Sequence, residues 1–300
     1  LGGASVPSVL PTILGHEIAG EIVGVGRDVG GFSIGDRVTT YPIAACGQCF
    51  YCNLGKHNLC LEERGFGHGI DGGFAEYVRV PKRIVDLGGV LQIGNLPYDL
   101  AALVEPVSCC VAAANQCGTS TGQTVTIVGC GPLGLFHTIV SKARGARVIV
   151  VDPSPERLSL AVSLGADEAI NPDAVSVVDE TKRLTGIGAD IVIAAVGIPA
   201  VIESSFGLVR NGGVFNIFGG TPSGEKLELD PRWLHYGEIN LTGTFASSLA
   251  DFKQALPFVE KHSDPVSRVI SDRCGLEDIV SAVERVKTGQ GTKSVILFSN

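Results

Sequence analysis

Val125-Thr-Ile-Val-Gly-Cys-Gly-Pro-Leu-Gly134 is an apolar run that breaks into three glycines at the spacing G-x-G-x-x-G. The run before the glycines reads as a buried strand. After them, Leu133, Phe136, Ile139, Val140 and Ala143 recur at helical spacing. In that context Gly129 permits a tight turn, Gly131 lets the backbone approach a pyrophosphate, and Gly134 lets the helix pack close to the strand. The helix start offers unpaired amides and a partial positive charge to the same anion, so Pro132 and Leu133 belong to this cofactor-binding turn. Asp152 ends the next apolar run, 21 positions after Gly131. There a carboxylate can accept hydrogen bonds from the adenine ribose, which favours NAD over NADP. Arg147 and Arg157 are the nearby cations, and Arg157 is counted with the cofactor-binding residues. The other reading of Asp152 is a cap for the helix opened by Pro153 and Ser154.

Working outward from this turn, apolar strands are expected at 124–128, 147–151, 191–195, 214–218 and 240–244, with helices at 132–143, 154–163 and 199–209. Strands alternating with helices imply a parallel sheet covered on both faces, hence an α/β class. From Pro11 to about Val80 the texture differs. Short β-branched runs at 18–25, 37–40 and 74–80, broken by Gly30-Gly31 and Gly72-Gly73, read as irregular antiparallel β structure. The tail is expected to form helices at 251–261 and 276–287 and a strand at 294–298.

Three hundred residues with 45% hydrophobic content suffice for two domains, at a guide of ~100–200 residues each. The expected division is 1–106, 107–248 and 249–300, the last part returning to the first domain. No apolar run approaches the ~20 residues of a membrane span. A net charge of -8 with scattered cations gives no stripe for nucleic acid. Nine cysteines are an odd count for a disulfide framework and suggest a reducing, cytoplasmic setting. The chain starts at Leu1 and holds no methionine, which raises the expectation of a gene product that began upstream and of methionines lost from within the chain.

Cys46, Cys49, Cys52 and Cys60 have two, two and seven residues between them. Four thiolates close a tetrahedral shell around zinc and leave no position for substrate, which points to a structural metal; four free thiols on a loop are the alternative. His16 and Glu17 precede an apolar run, and Glu105-Pro106 falls where the two domains are expected to join. A lone histidine is more often a hydrogen-bonded structural residue than a ligand. Tyr41 and Phe245 could line a pocket, but read more readily as core.

Together the motifs G-H-E at Gly15–Glu17, G-D-R-V at Gly35–Val38, the four-cysteine lobe, G-G-F-A-E-Y at Gly72–Tyr77, Glu105-Pro106 and G-C-G-P-L-G at Gly129–Gly134 give the chain its likeness. It resembles zinc-containing medium-chain alcohol and polyol dehydrogenases, in particular the sorbitol dehydrogenase-like branch. The resemblance implies a GroES-like β-rich catalytic domain, a Rossmann NAD-binding domain with its doubly wound parallel sheet, and a catalytic zinc in the cleft between them. It makes His16 a zinc ligand, Glu17 a ligand or close partner, and Glu105 the glutamate at the metal. Where Glu105 stands, threonine-oxidising relatives usually carry aspartate, which tilts the reading toward polyols. The family's first cysteine ligand would lie before Leu1, and Cys109 is a poor candidate to replace it.

The expected activity is hydride transfer between NAD and a secondary alcohol, by resemblance a polyol, with zinc as Lewis acid toward the substrate hydroxyl. The alternatives are a threonine or simple alcohol dehydrogenase of the same family, or a non-catalytic NAD-binding, zinc-stabilised protein. By resemblance the chain is a homotetramer or homodimer, with the strand at 240–244 available to extend a sheet across a two-fold axis.

Overall fold

The computed structural model describes residues 11–298, which divide into two compact units: Cys110–Phe245, and residues 11–109 with 246–298. In the first unit six parallel strands run in the order Asn240–Gly243, Val209–Ile217, Ala189–Ala194, Thr124–Val128, Arg147–Val151, Glu168–Ile170. The central strands are almost wholly buried, as a sheet covered on both faces requires. Counted along the chain, the first strand sits in the middle, and the order reverses there. This is the arrangement in which a ligand sits beyond the carboxyl ends of the strands at the reversal.

Local sequence accounts for most of these elements. The helix Pro132–Ala143 begins with proline at a position that needs no N–H, and the helix Pro155–Ser163 begins the same way with Ser154 accepting from Arg157 N. Gly129 has φ +98°, a left-handed turn that other residues resist. A Cβ on Gly134 would overlap the Gly129 carbonyl oxygen, so the helix packs on the turn only because that position is glycine. On one face of the sheet Phe215 meets Phe206 edge-on, and Trp233 stacks on Phe206 with centroids 4.9 Å apart. His137 is fully enclosed with neither ring nitrogen partnered, and burial holds its pKa down to about 3.

In the second unit Ala19–Glu21, Arg37–Thr40 and Val90–Gln92 form an antiparallel sheet. The strands Ile270–Cys274 and Lys293–Ile296 pair in parallel. Tyr41 and Phe252 meet at 5.5 Å in the core, and Tyr41 Oη donates to Ser247 O at 2.6 Å. Tyr41 is core, whereas Phe245 is 50% exposed and is not.

Three differences from the sequence pattern stand out. Residues 74–80 form no strand, because Val78 and Val80 bury themselves against Ala44, Phe66 and Ile84 without any ladder. The expected helix over 199–209 stops at Ser204, and Val209 already begins a strand after a 3₁₀ turn. A helix at Val177–Thr185, capped by Ser176, occupies a stretch whose polarity hid it.

Gly134→Ala is expected to destabilise the protein by about 1–3 kcal/mol, the cost of overpacking. Gly131→Ala meets open space and should leave stability unchanged. Chemical denaturation of both variants checks the contrast.

Candidate functional site

The dinucleotide turn is built by opposite demands on its three glycines. Gly129 and Gly134 are dictated by backbone geometry. Gly131 has φ -65° and nothing within 4 Å of the position a Cβ would take, so the fold itself does not require glycine there. Its missing side chain leaves a space for a ligand at the start of the helix, where the first amides lack partners. The residues present therefore fit a pyrophosphate.

Asp152 is buried beside this turn. Its Oδ2 accepts from Cys130 N at 2.7 Å and its Oδ1 from Ser154 N at 2.8 Å. Ser154, not Asp152, caps the helix. Each carboxylate oxygen keeps a further lone pair for a hydroxyl. Cys130, between the glycines, is chemically quiet: burial, then the neighbouring Asp152 charge, push its thiol up to about 12. Pro132, Leu133 and Arg157 are half-buried on the same turn and the following helix.

In the other unit, Gly72 and Gly73 cross the backbone at 13–15. Gly72 N donates to Ile13 O, Gly73 N to Gly15 O and Phe74 N to Leu14 O, at 2.8–2.9 Å. A Cβ on Gly72 would overlap the Gly15 oxygen. This crossing fixes His16 and Glu17. Glu105 comes from the first turn of the helix Val104–Gln116, where a negative charge is favoured by the helix dipole. Ser108 anchors that turn by donating to Glu105 O and bonding the Ser247 hydroxyl.

One donor atom each from His16, Glu17 and Glu105 lies within 4.8 Å of the others. The His16 side chain is 53% exposed and that of Glu105 only 7%, with Nε2 3.9 Å from Oε2. Among the described residues Glu105 Oε1 accepts from the Cys109 thiol, at 3.6 Å. A buried carboxylate without a full-strength hydrogen bond is costly unless a further group completes it. Burial raises its pKa; His16 opposes, Glu17 reinforces and Lys293 opposes. The imidazole and carboxylate donors are of the kind zinc accepts. Cys109 shares the Glu105 face but does not join the converging set. Lys293, whose Nζ donates to Glu17 Oε2, had no signal in the sequence.

The four cysteines converge in the same unit. Sγ separations are 3.5 Å for Cys49–Cys52 and 3.9 Å for both Cys46–Cys52 and Cys49–Cys60. Sulfurs ~2.3 Å from a central zinc form a tetrahedron with edges of about 3.8 Å, whereas a disulfide requires about 2.05 Å. Backbone amides of Cys46, Cys49 and Glu62 point at the sulfurs. The Leu61 and Cys52 amides draw the Cys49 thiol down to about 6, while burial pushes Cys52 up to about 12. Zinc binds cysteine as thiolate, and the sulfur spacing fits one such ion.

The family description "Zinc-binding dehydrogenase" matches residues 132–261, and "Alcohol dehydrogenase GroES-like domain" matches residues 3–87. The sorbitol dehydrogenase of Bacillus subtilis is 34% identical over 92% of this chain and 77% of its own length. The L-threonine 3-dehydrogenase of Symbiobacterium thermophilum is 31% identical over 96% and 81%. A Sinorhizobium meliloti protein described as a zinc-binding dehydrogenase, solved with NADP, superimposes with a TM-score of 0.86 at 31% identity, covering 96% of this chain and 83% of that one. The chain belongs to the zinc-dependent alcohol and polyol dehydrogenase family, with a GroES-like and a Rossmann-like domain. It is an oxidoreductase that acts on the CH–OH group of a small molecule. Among the described residues no helix is long and apolar enough to cross a membrane.

Cys52→Ser is expected to lose one zinc per chain and to lower the thermal midpoint, because metal-binding free energy at such a site is folding free energy. Metal analysis with calorimetry checks it; an unchanged midpoint after loss of that zinc would remove the structural role.

Proposed function

We propose that this chain interconverts a polyol and its ketose with NAD, using His16 and Glu105 to hold a catalytic zinc, Glu17 beside them, and Cys46, Cys49, Cys52 and Cys60 to hold a structural one. The convergence of His16, Glu17 and the buried, under-bonded Glu105 carboxylate carries the reading. A bound zinc supplies Lewis-acid polarisation of the substrate hydroxyl, and nicotinamide supplies the hydride acceptor. The chain's own residues then divide the work. His16 and Glu105 present donors from opposite extremes of exposure. Glu105, buried and within hydrogen-bonding reach only of the Cys109 thiol among the described residues, would hold its carboxylate toward the metal and the substrate hydroxyl. Gly129, Gly131 and Gly134, with Pro132 and Leu133, would seat the pyrophosphate; Asp152 and Arg157 would hold the adenine ribose.

Glu105 in place of aspartate and the likeness to sorbitol dehydrogenase favour a polyol. The likeness to L-threonine 3-dehydrogenase keeps threonine as the second reading. NAD is preferred over NADP because the Asp152 carboxylate repels a ribose phosphate; the NADP-bound relative makes this a point to test. We further propose a homodimer or homotetramer, since Asn240–Gly243 is the exposed edge of its sheet. Nine cysteines without a disulfide among the described residues favour the cytoplasm.

His16→Ala should abolish alcohol oxidation while NADH binding, read by fluorescence, stays near wild type; normal turnover would remove this zinc site from the mechanism. A panel of sorbitol, xylitol, galactitol, threonine and 2,3-butanediol ranks the substrates, and a preference for threonine would replace the polyol reading. Asp152→Asn keeps the side chain's shape and removes its charge. It should weaken NAD selectively over NADP, measured as the ratio of the two kcat/KM values; equal losses would remove Asp152 from cofactor choice.

A further inference from the structure

His137 stands in the second turn of the helix Pro132–Ala143, and no part of it reaches solvent. Neither ring nitrogen has a hydrogen-bond partner among the described residues, and the buried Ser141 hydroxyl, four positions on along the same helix face, has none either. The ring meets Phe218 edge-on with centroids 4.3 Å apart, a contact that satisfies neither nitrogen. Phe218 leads into Gly219, where a Cβ would overlap the Val196 backbone, and the Val196 side chain in turn abuts Gly129. The contact therefore ties the body of the helix to the glycine turn from which the helix starts. Titratable groups on the elements packed with this helix are engaged elsewhere. Lys142 pairs with Asp167, Arg147 with Glu168, and Arg144 bonds Asn115 and Val111 O. Asp152 accepts from Cys130 N and Ser154 N, the Cys110 thiol donates to Leu133 O, and Cys109 to Glu105. The Cys117 and Cys130 thiols are neutral, each pushed up to about 12 by burial.

We propose that His137 is an acid-sensitive latch in the Rossmann-like unit: the closed helix shuts a proton out of its imidazole, so acid favours an opened helix that no longer forms the dinucleotide turn, and a bound dinucleotide opposes the proton. An imidazolium enclosed without a partner is costly, so the proton is taken up as the helix opens. Burial alone holds the enclosed ring's pKa down to about 3, against an ordinary value of 6.5. The opened state thus binds the proton more strongly than the closed one. Closure is at full strength above pH 6.5, and the opened fraction rises about tenfold per unit as the pH falls from there toward 3. By linkage, a dinucleotide that binds only the closed turn weakens proton uptake as the proton weakens its binding. The cofactor half of the proposal rests on the dinucleotide-turn reading above.

The test follows amide hydrogen exchange in the helix Pro132–Ala143 of the full chain at pH 7.5 and 5.5, corrected for the pH dependence of the chemical exchange step, in wild type, His137→Leu and His137→Gln. Leu removes the polar ring at similar bulk, and Gln keeps a polar group that does not titrate. The wild-type opened fraction should grow about tenfold more between the two pH values than that of either variant. Saturating NADH should suppress the opening at both. Histidine C2-hydrogen exchange, read by mass spectrometry on the wild-type peptide that contains His137, checks the closed ring without any variant: it should show no titration of that ring above pH 5.5. Equal pH dependence in wild type and a folded variant, or a His137 ring that titrates above pH 5.5 in the native protein, overturns the latch. Helix exchange that NADH binds without suppressing overturns its link to the cofactor. A wild-type chain that binds no NADH overturns the dinucleotide-turn reading instead, and the comparison of wild type with the variants still decides the latch.

Discussion

Backbone crossing backbone at glycine is the constraint on which both functional regions depend. Gly134 sits against the Gly129 carbonyl, and Gly72 against the Gly15 carbonyl. In each case one chain segment lies where a Cβ would have to be. The first contact brings the helix Pro132–Ala143 down onto the end of its strand, with its unpaired amides at the turn. The second locks residues 13–15 by three backbone hydrogen bonds and so determines where His16 and Glu17 begin. Side chains do the chemistry here, but it is the absence of side chains at these crossings that aims them.

Electrostatics separates the two metal-type clusters. In the cysteine lobe three sulfur pairs lie 3.5–3.9 Å apart with amides directed at the sulfurs, and Cys49 is drawn down by its amides while burial pushes Cys52 up. Such a cluster is satisfied by a fully enclosed ion. At His16, Glu17 and Glu105 the donors are mixed and one is half exposed. Of the two carboxylates, Glu17 is paired with Lys293. That set is less closed, consistent with a centre that must admit a substrate. The two clusters thus differ in donor type, in burial and in charge balance.

Much of the first unit was legible because its signals are local. The strands Thr124–Val128 and Arg147–Val151 and the helix Pro132–Ala143 are continuous apolar or periodic segments with proline and glycine at their ends. The helix Val177–Thr185 escaped because it is amphipathic on a polar background, with few apolar residues to mark a face. Residues 74–80 misled in the other direction: alternation reports which side chains are buried, and Val78 and Val80 are covered by a cluster instead of by a ladder. Phe245 misled likewise, since an aromatic ring says nothing of what will cover it.

The sequence by itself determined the turn chemistry and the ligand inventory: the glycine spacing, the acid at Asp152, the four cysteines and the G-H-E and E-P pairs are all short-range patterns, and short-range patterns survive without coordinates. Only the tertiary structure decided which of those groups meet. It brought Glu105 to His16 across nearly ninety positions, showed its carboxylate to be buried and short of hydrogen bonds, and delivered Lys293 to Glu17. The reason is physical: electrostatic energies depend on separation and on the exclusion of water, and neither quantity is written in the order of residues along a chain.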